Sequence, residues 1–200
     1  MHETGSLFTG AGERKYLTVS ERDRFFAEAA KEELRFFAYC LLLSLTGCRV
    51  SEGLALIPAH VDVEECAVRF RTLKRRRGQP PKWRSVPVPT ELVRLLQSLF
   101  HHRNTPLFPY HRSTIWRRVQ AVMFRAGIKG AQATPKAFRH YFGVQADAHA
   151  IPQPILKRWM GHSKLESTEI YRQAVGAEEA ALAARLCWLE PDQSTTMEAL

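Results

Sequence analysis

The stretch KRWMGHSKLESTEIYRQAVG, residues 157–176, decides how the rest of the chain is interpreted. Tyr171 stands nine positions after His162, and short-helix signals lie between them. Tyrosine is a common half-buried residue of helices, so packing alone would explain its presence. The alternative is that its hydroxyl is a nucleophile, which requires activating groups close to it in the folded chain. Such groups would have to come from other segments of the sequence.

A second segment, TPKAFRH at residues 134–140, predicts a helix start with three cations on one face. Its threonine suits the N-cap position and its proline the first helical position. Lys136, Arg139 and His140 then lie on one face, where like charges disfavour the helix by a few tenths of a kcal/mol. A phosphate at the helix N-terminus would relieve this repulsion, whereas solvated surface cations remain the alternative.

The excess of positive charge is concentrated in one part of the chain. Lysine and arginine number 29 against 20 acidic residues, for a net charge of +9. Residues 69–84, RFRTLKRRRGQPPKWR, contain no acid and eight basic residues: Arg69, Arg71, Lys74, Arg75, Arg76, Arg77, Lys82 and Arg84. Such a block of like charge favours a polyanionic partner, most commonly nucleic-acid phosphate. A solvated basic loop is the alternative explanation.

The pattern of apolar residues predicts a mainly helical α+β chain with one small antiparallel sheet. A capping box at residues 18–21 starts a helix that should continue to about Ala30, and alternating residues from His60 to Pro89 predict strands around a basic hairpin turn. We expect residues 1–16 to be a flexible lead-in, 17–189 a single domain and 190–200 a flexible tail. Further helices are predicted at 32–45, 51–56, 90–101, 112–126, 135–148, 152–160, 167–173 and 177–189. The helix at 32–45 should end at Gly47, which places Arg49 in a tight turn between two helices.

Several classes of protein are disfavoured by composition. The longest apolar run, Phe36–Leu45, is only half the length that a membrane-spanning helix needs, about 20 residues, so we expect no membrane association. No secretory signal is recognisable, which favours a cytoplasmic protein. The four cysteines lack CxxC spacing, and the pair His101-His102 has no further ligands nearby in sequence. We therefore expect reduced thiols and no metal site.

Four segments taken together resemble the catalytic domain of the tyrosine recombinases, the phage-integrase family. They are TGCRVSE at 46–52, the basic hairpin with Lys74, KAFRHYF at 136–142 and MGHSKLESTEIY at 160–171. Each motif is weak alone, but their combination in this order is specific, and the resemblance covers about residues 17–187. It implies a bundle of helices with a small antiparallel sheet.

The resemblance also implies a role for each matching residue in the binding and cleavage of a phosphodiester. Arg49 and Arg139 match the two arginines that hold the non-bridging oxygens of the scissile phosphate. Lys74 matches the hairpin lysine that protonates the departing 5′ oxygen, a role that arginine cannot fill because it stays protonated. His162 is similar to the histidine that hydrogen-bonds a phosphate oxygen. Glu52 matches an acidic residue that orients its neighbours.

Tyr171 matches the nucleophile of the family. Its attack would give a 3′-phosphotyrosine and a free 5′ hydroxyl, which a different strand end can reverse without a metal or cofactor. The implied activity is site-specific recombination of double-stranded DNA, by a homotetramer on DNA that is a monomer when free. A DNA-binding regulator with a vestigial catalytic site is the competing interpretation. In either case we expect phosphate contacts from Arg75, Arg76, Arg77, Lys82 and Arg84.

The chain departs from the usual pattern of the family in two respects. Lys136 stands where most members have histidine; as an ordinary lysine with a pKa near 10.4 it would be a cation that donates to the phosphate. Burial beside the two arginines could instead lower its pKa enough to make it a base. In addition, only a short segment precedes the catalytic part. The chain is either a fragment or similar to the small recombinases that invert fimbrial promoters.

Overall fold

The structure is a computed structural model that describes residues 6–72, 80–162 and 166–173. The expected α+β class is confirmed. The helices are α1 (Val19–Ala29), α2 (Leu34–Thr46), α3 (Val50–Leu54), α4 (Thr90–Gln97), α5 (Arg112–Arg125), α6 (Lys136–Ala148), α7 (Gln153–Met160) and α8 (Glu166–Glu169). Short 3₁₀ turns occupy Pro58–His60 and Ile170–Gln173. The strands are β1 (Val61–Asp62), β2 (Ala67–Arg71) and β3 (Trp83–Pro87).

The predicted capping box is present at the start of α1. The Thr18 hydroxyl accepts a hydrogen bond from the Glu21 amide, and the Glu21 carboxylate accepts one from the Thr18 amide. At the other end of the next helix, Gly47 terminates α2 in the left-handed conformation, with φ of 58°. Arg49 then precedes α3 and its amide is capped by the Glu52 carboxylate at 2.9 Å. The TGCRVSE motif is thus a tight turn between two helices, as the sequence predicts.

The three strands form one antiparallel sheet in the order β1-β2-β3. Val68 lies opposite Val86 and Phe70 opposite Arg84, and all four side chains face the protein interior. The segment between β2 and β3 contains the basic residues of the expected hairpin, and its residues 73–79 lie outside the described ranges. Lys74 and three of the expected DNA-binding arginines are among them.

The main hydrophobic core is assembled around α2. The side chains of Phe36, Tyr39 and Leu42 on this helix are fully buried. Helix α6 packs against α2, and the inner face of the sheet closes the same core. The run Phe36–Leu45 is therefore a buried helix, as its length predicted. Among the described residues, no helix combines the length and the apolar character needed to cross a membrane.

Residues 6–16 pack on the domain, whereas we expected a flexible lead-in over residues 1–16. Phe8 and Arg14 form an isolated antiparallel β-bridge. Leu7 and Tyr16 are buried in a second apolar cluster with residues of α6 and α7. Arg14 also forms an ion pair with Glu21 on α1. The segment contains many glycines, so its local pattern predicts flexibility. Its order comes from an apolar site that distant helices supply.

Two smaller differences concern helix ends. Helix α6 begins at Lys136, one residue later than predicted, and no side chain caps its start. Pro135 is already in the right-handed helical region, and the carbonyl oxygen of Thr134 accepts from the Ala137 amide. Helix α4 ends at Gln97, earlier than the predicted 101. The predicted helix 177–189 and tail 190–200 lie outside the described ranges.

Candidate active site

An open cleft of about 690 Å³ lies where the starts of α3, α5 and α6 meet. Four cations and a single acid are among the residues that line it: Cys48, Arg49, Val50, Ser51, Glu52, Arg112, Pro135, Lys136 and Arg139. We call it the cationic cleft. Arg49 and Arg139, which are distant in sequence, therefore line the same cleft. The excess of positive charge in this cleft favours binding of an anion. Arg112, at the start of α5, is a member that the sequence did not indicate.

Arg139 is fixed in the wall of the cleft by backbone carbonyls. Its Nη1 donates to the Gly47 oxygen and its Nη2 to the Met160 oxygen at 2.8 Å. Burial, together with the neighbouring charge of Arg49, lowers the pKa of Arg139 to about 10, so the guanidinium stays charged at neutral pH. The two hydrogen bonds leave it little freedom. The charge is therefore in position before any ligand binds.

Arg49 is held by Glu52 and by the end of α7. Its Nη1 donates to Glu52 Oε1 at 2.8 Å and its Nη2 reaches the Gly161 oxygen at 3.5 Å. Burial would raise the pKa of Glu52, but hydrogen bonding and charge from Arg84, with help from Arg49, lower it below its ordinary value. Glu52 is thus an ionised carboxylate that bonds to the Arg49 side chain.

Arg84 has a different role from the one we expected. Its side chain is only 3% exposed, its Nη2 donates to Glu52 Oε2 at 2.6 Å and its Nε donates to the Trp159 oxygen at 2.7 Å. The guanidinium also lies over the ring of Phe70. Arg84 consequently joins the sheet to α3 and α7 from within, and its burial excludes the DNA-phosphate contact assigned to it. Lys82, on the same side of the hairpin, is exposed.

The Gly-His pair places His162 just past the end of α7. Gly161 ends this helix in the left-handed conformation with φ of 63°, and a Cβ there would lie 3.1 Å from Arg84 Nη1. A side chain at 161 would therefore be disfavoured both by the backbone and by the packing. The chain turns sharply at this glycine, and the next residue is directed toward the arginines.

His162 is neutral and its ring is oriented by a threonine. Burial and the charges of Arg139 and Arg49 lower its pKa to about 3. Its Nδ1 lies 2.9 Å from the hydroxyl of Thr168, a fully buried residue between α7 and the tyrosine. When Thr168 donates to Nδ1, the proton of the neutral ring is on Nε2. Thr168 was missed in the sequence, although its position three residues before Tyr171 was a usable indication.

Tyr171 lies in the turn Ile170–Gln173 and is packed rather than exposed. Only 2% of the residue is accessible, and its ring stacks on His162 with centroids 6.3 Å apart and planes at 13°. On another side it is 6.1 Å from the ring of His140, and it lies against Gly143. We call these three contacting residues the tyrosine seat. Burial raises the pKa of Tyr171 to about 12, partly opposed by the charges of Arg139 and Arg49.

Lys136 and His140 differ in their exposure to solvent. Lys136 is exposed at the edge of the cationic cleft, and desolvation, followed by the charges of Lys15 and Arg139, lowers its pKa. His140 is buried, and desolvation with the charge of Lys136 lowers its pKa to about 3. Lys74 lies outside the described ranges. The described residues contain no group of three or more metal-ligating side chains.

Known proteins are similar to this chain in sequence and in fold. Residues 15–177 match the Phage integrase family. The tyrosine recombinase XerD of Shewanella oneidensis is 31% identical over 179 residues, which cover 80% of this chain and 57% of that protein. XerD of Yersinia pestis is 30% identical over 154 residues, which cover 70% of this chain and 50% of that protein.

Solved structures of a recombinase and of an integrase have the same fold. A crystal structure of XerA recombinase matches with a TM-score of 0.73 at 24% identity, over 88% of this chain and 66% of that one. The catalytic domain of bacteriophage HP1 integrase matches with a TM-score of 0.64 at 24% identity, over 84% of this chain and 93% of that one. The chain spans about half the length of the curated relatives that it matches.

Proposed function

This chain belongs to the phage integrase family of tyrosine recombinases, and we propose that it cleaves and rejoins DNA strands at specific sites through a covalent bond to Tyr171. The observation that carries the proposal is the proximity of four groups. Arg49 and Arg139 bond to the backbone at Gly161 and Met160, directly before His162, and the ring of His162 stacks on Tyr171. The guanidinium groups of Arg49 and Arg139 line the cationic cleft, and their charges act on both His162 and Tyr171. A nucleophile, two fixed cations and a neutral donor are what transfer of a phosphodiester requires.

The first step is the binding of the scissile phosphate in the cationic cleft. Arg139 and Arg49 each retain N–H groups that can donate to the non-bridging oxygens, because their hydrogen bonds within the protein use only part of the guanidinium fork. His162 adds a donor at Nε2 when Thr168 occupies Nδ1. Lys136 contributes a further positive charge at the edge of the cleft.

The second step is attack by the Tyr171 oxygen on phosphorus. The bond between phosphorus and the 5′ oxygen breaks, the phenolic proton passes to solvent water, and the DNA 3′ end becomes esterified to the tyrosine. We propose Lys74 as the acid that protonates the departing 5′ oxygen. Because one phosphoester replaces another, the reverse attack by a 5′ hydroxyl restores a continuous strand. Rejoining to a different strand constitutes recombination.

The pKa of Tyr171 bears on this step. An ordinary phenol is already neutral at physiological pH, and burial raises the pKa of Tyr171 further, to about 12. The proton must therefore leave during the attack. Since Lys136 is a cation in our assignment, it stabilises the charge of the phosphate and does not accept that proton.

Formation of a covalent adduct is the decisive test. The chain is incubated with a pool of short duplexes of random sequence, each with a nick that lets the cleaved end diffuse away, and adducts that survive detergent are recovered and sequenced. We expect wild-type protein to yield adducts at a defined sequence and Tyr171→Phe to yield none. Retention of duplexes without any adduct would contradict cleavage and favour a DNA-binding regulator.

We further propose that double-stranded DNA is held by the basic hairpin and that a homotetramer assembles on it, in the cytoplasm. Lys82 is exposed beside the hairpin, whereas Arg75, Arg76 and Arg77 lie outside the described ranges. Replacement of these three arginines by alanine should reduce the slope of log affinity against log salt by up to about three phosphate contacts. An unchanged slope would contradict the assignment, and light scattering of the DNA complex would report its number of subunits.

A further inference from the structure

Gly143 makes the closest approach of any described glycine to another side chain. It lies within α6, and a Cβ built on it would be 2.4 Å from Tyr171 Cε1 and 2.5 Å from Cδ1 and Cζ. Ordinary van der Waals contact of a Cβ begins near 3.4 Å. The phenol ring therefore occupies the place that any other side chain at position 143 would need.

Backbone conformation gives no reason for a glycine at this position. Gly143 is inside a regular helix and is not among the glycines with positive φ. Glycine in a helix interior is less favourable than alanine, because it loses more conformational freedom on folding. The residue thus weakens the helix locally, and the feature of the structure that accounts for it is the room it leaves for the ring.

We infer that Gly143 is the positioning residue of the nucleophile: its missing side chain sets the depth at which the Tyr171 ring lies against α6, and with it the distance from the phenolic oxygen to the arginines. This inference rests on the proposed function of Tyr171. The same helix carries Arg139 and His140 one turn earlier, so a single rigid element presents a phosphate ligand and the surface on which the nucleophile rests.

A methyl group at position 143 would displace the ring by about 1 Å, the difference between the 2.4 Å approach and ordinary contact. Displacement of a reacting group by this distance can reduce a rate by about 100-fold. The cationic cleft would remain intact, because Gly143 does not line it. Binding of DNA and cleavage of DNA should therefore respond differently to the substitution.

The first experiment compares Gly143→Ala with Gly10→Ala, whose Cβ would meet no atom within 4 Å. The substrate is a nicked duplex recovered from the random pool with wild-type protein. Single-turnover adduct formation should fall by about 100-fold in Gly143→Ala and stay within about twofold in Gly10→Ala, with non-covalent affinity unchanged in both. A rate for Gly143→Ala within about threefold of the wild type would overturn the inference.

A second experiment needs no DNA and separates this inference from the proposed function. The ionisation of Tyr171 is followed by ultraviolet absorbance, as the difference between each protein and the same protein carrying Tyr171→Phe. The pKa of about 12 in the wild type should move toward the ordinary value near 10 in folded Gly143→Ala, because the displaced ring gains contact with water. An unchanged pKa in the folded variant would overturn the inference, even if no duplex ever yields an adduct.

A third measurement covers the case in which Gly143→Ala lowers the melting temperature. The clash requires the tyrosine ring, so Gly143→Ala combined with Tyr171→Ala should melt above Tyr171→Ala alone, since alanine then favours the helix without an opposing contact. If alanine at 143 destabilises the protein equally with and without the ring, the close approach to Tyr171 is not the reason for the glycine, and the inference is wrong.

Discussion

The cationic cleft and the tyrosine seat are adjacent, but they are held together by different forces. In the cleft, each arginine of the proposed phosphate site is bonded to a carboxylate or to backbone carbonyls. In the seat, an aromatic ring is positioned by contact with Gly143, His140 and His162. Directional bonds hold the arginines of the cleft, whereas packing of neighbouring side chains holds the tyrosine. Removal of a single polar group should therefore impair the cleft, whereas a small change in side-chain volume should impair the tyrosine seat.

The elements that carry the two regions also differ in size. The cleft is built on α3, α5 and α6, which belong to the main core. The tyrosine is on a short segment, α8 with the following 3₁₀ turn, that packs on α6 and α7 through the second apolar cluster. The position of the tyrosine therefore depends on how this short segment packs, whereas the charges of the cleft are carried by helices of the main core.

The largest effect is expected for Arg139→Ala, which removes a charge from the cleft and leaves the Gly47 and Met160 carbonyls without their donor. Loss of such a group should lower the rate of adduct formation by about 1000-fold or more. Arg139→Lys, which keeps the charge but not the planar fork, should recover only part of the activity. A loss of less than about tenfold in Arg139→Ala would mean that the cleft does not hold the scissile phosphate.

Glu52→Gln tests whether the directional bonds of the cleft depend on one buried carboxylate. The side chains of Glu52 and Arg84 are 1% and 3% exposed, so neutralising Glu52 leaves a buried guanidinium without its partner. We expect the free energy of unfolding, measured in urea at pH 7, to fall by about 3 kcal/mol. Exposed Glu64→Gln is the control and should be close to neutral.

The pH dependence of stability provides a check on the same residue. The folded-state pKa of Glu52 is lowered, so its contribution is present above the ordinary carboxyl pKa and is lost as pH falls through the folded value. The difference in unfolding free energy between wild type and Glu52→Gln should therefore shrink toward acid pH. A difference that stays constant from neutral to acid pH would contradict an ionised Glu52.

Thr168→Val tests a residue that lies between the cleft and the tyrosine seat. Thr168 is buried and its hydroxyl is bonded to the His162 ring, which stacks on the tyrosine. Valine keeps the shape but removes the hydroxyl that selects the tautomer of the ring. We expect adduct formation to slow by about tenfold, with little change in melting temperature. Equal rates for wild type and Thr168→Val would show that the tautomer of His162 has no part in the reaction.

The smallest effect is expected for Lys136→Arg. Arginine keeps the positive charge at the edge of the cleft but cannot accept a proton, so single-turnover adduct formation should stay within about tenfold of the wild type across neutral pH. Lys136→His is the comparison. A loss of about a thousandfold in Lys136→Arg, with Lys136→His active, would mean that the lowered pKa of the lysine makes it the base.

The features that could be predicted from the sequence are those encoded by neighbours along the chain. The capping box at Thr18 and the left-handed stop at Gly47 depend on residues within one helical turn, and both are confirmed. The basic hairpin was recognisable from its alternation and charge, and the sheet that flanks it is present. The order of the four motifs indicated the family, which the match over residues 15–177 confirms.

Features that depend on partners far away in the sequence could not be predicted. Arg84 was grouped with the surface cations because its neighbours are basic, yet strand pairing turns it inward to Glu52, 32 residues away. Leu7 and Tyr16 are ordered by an apolar site on α6 and α7 that their own glycine-rich segment does not reveal.

The same distinction applies within the active site. The resemblance of the sequence motifs to the family indicated Arg49, Arg139, His162 and Tyr171 as site residues, because a motif is a property of the chain itself. The burial of the tyrosine, its contact with Gly143 and the bond from Thr168 to His162 came from the packing of helices. Chemical identity is local, whereas burial and contact are set by all the segments that surround a residue once the chain has folded.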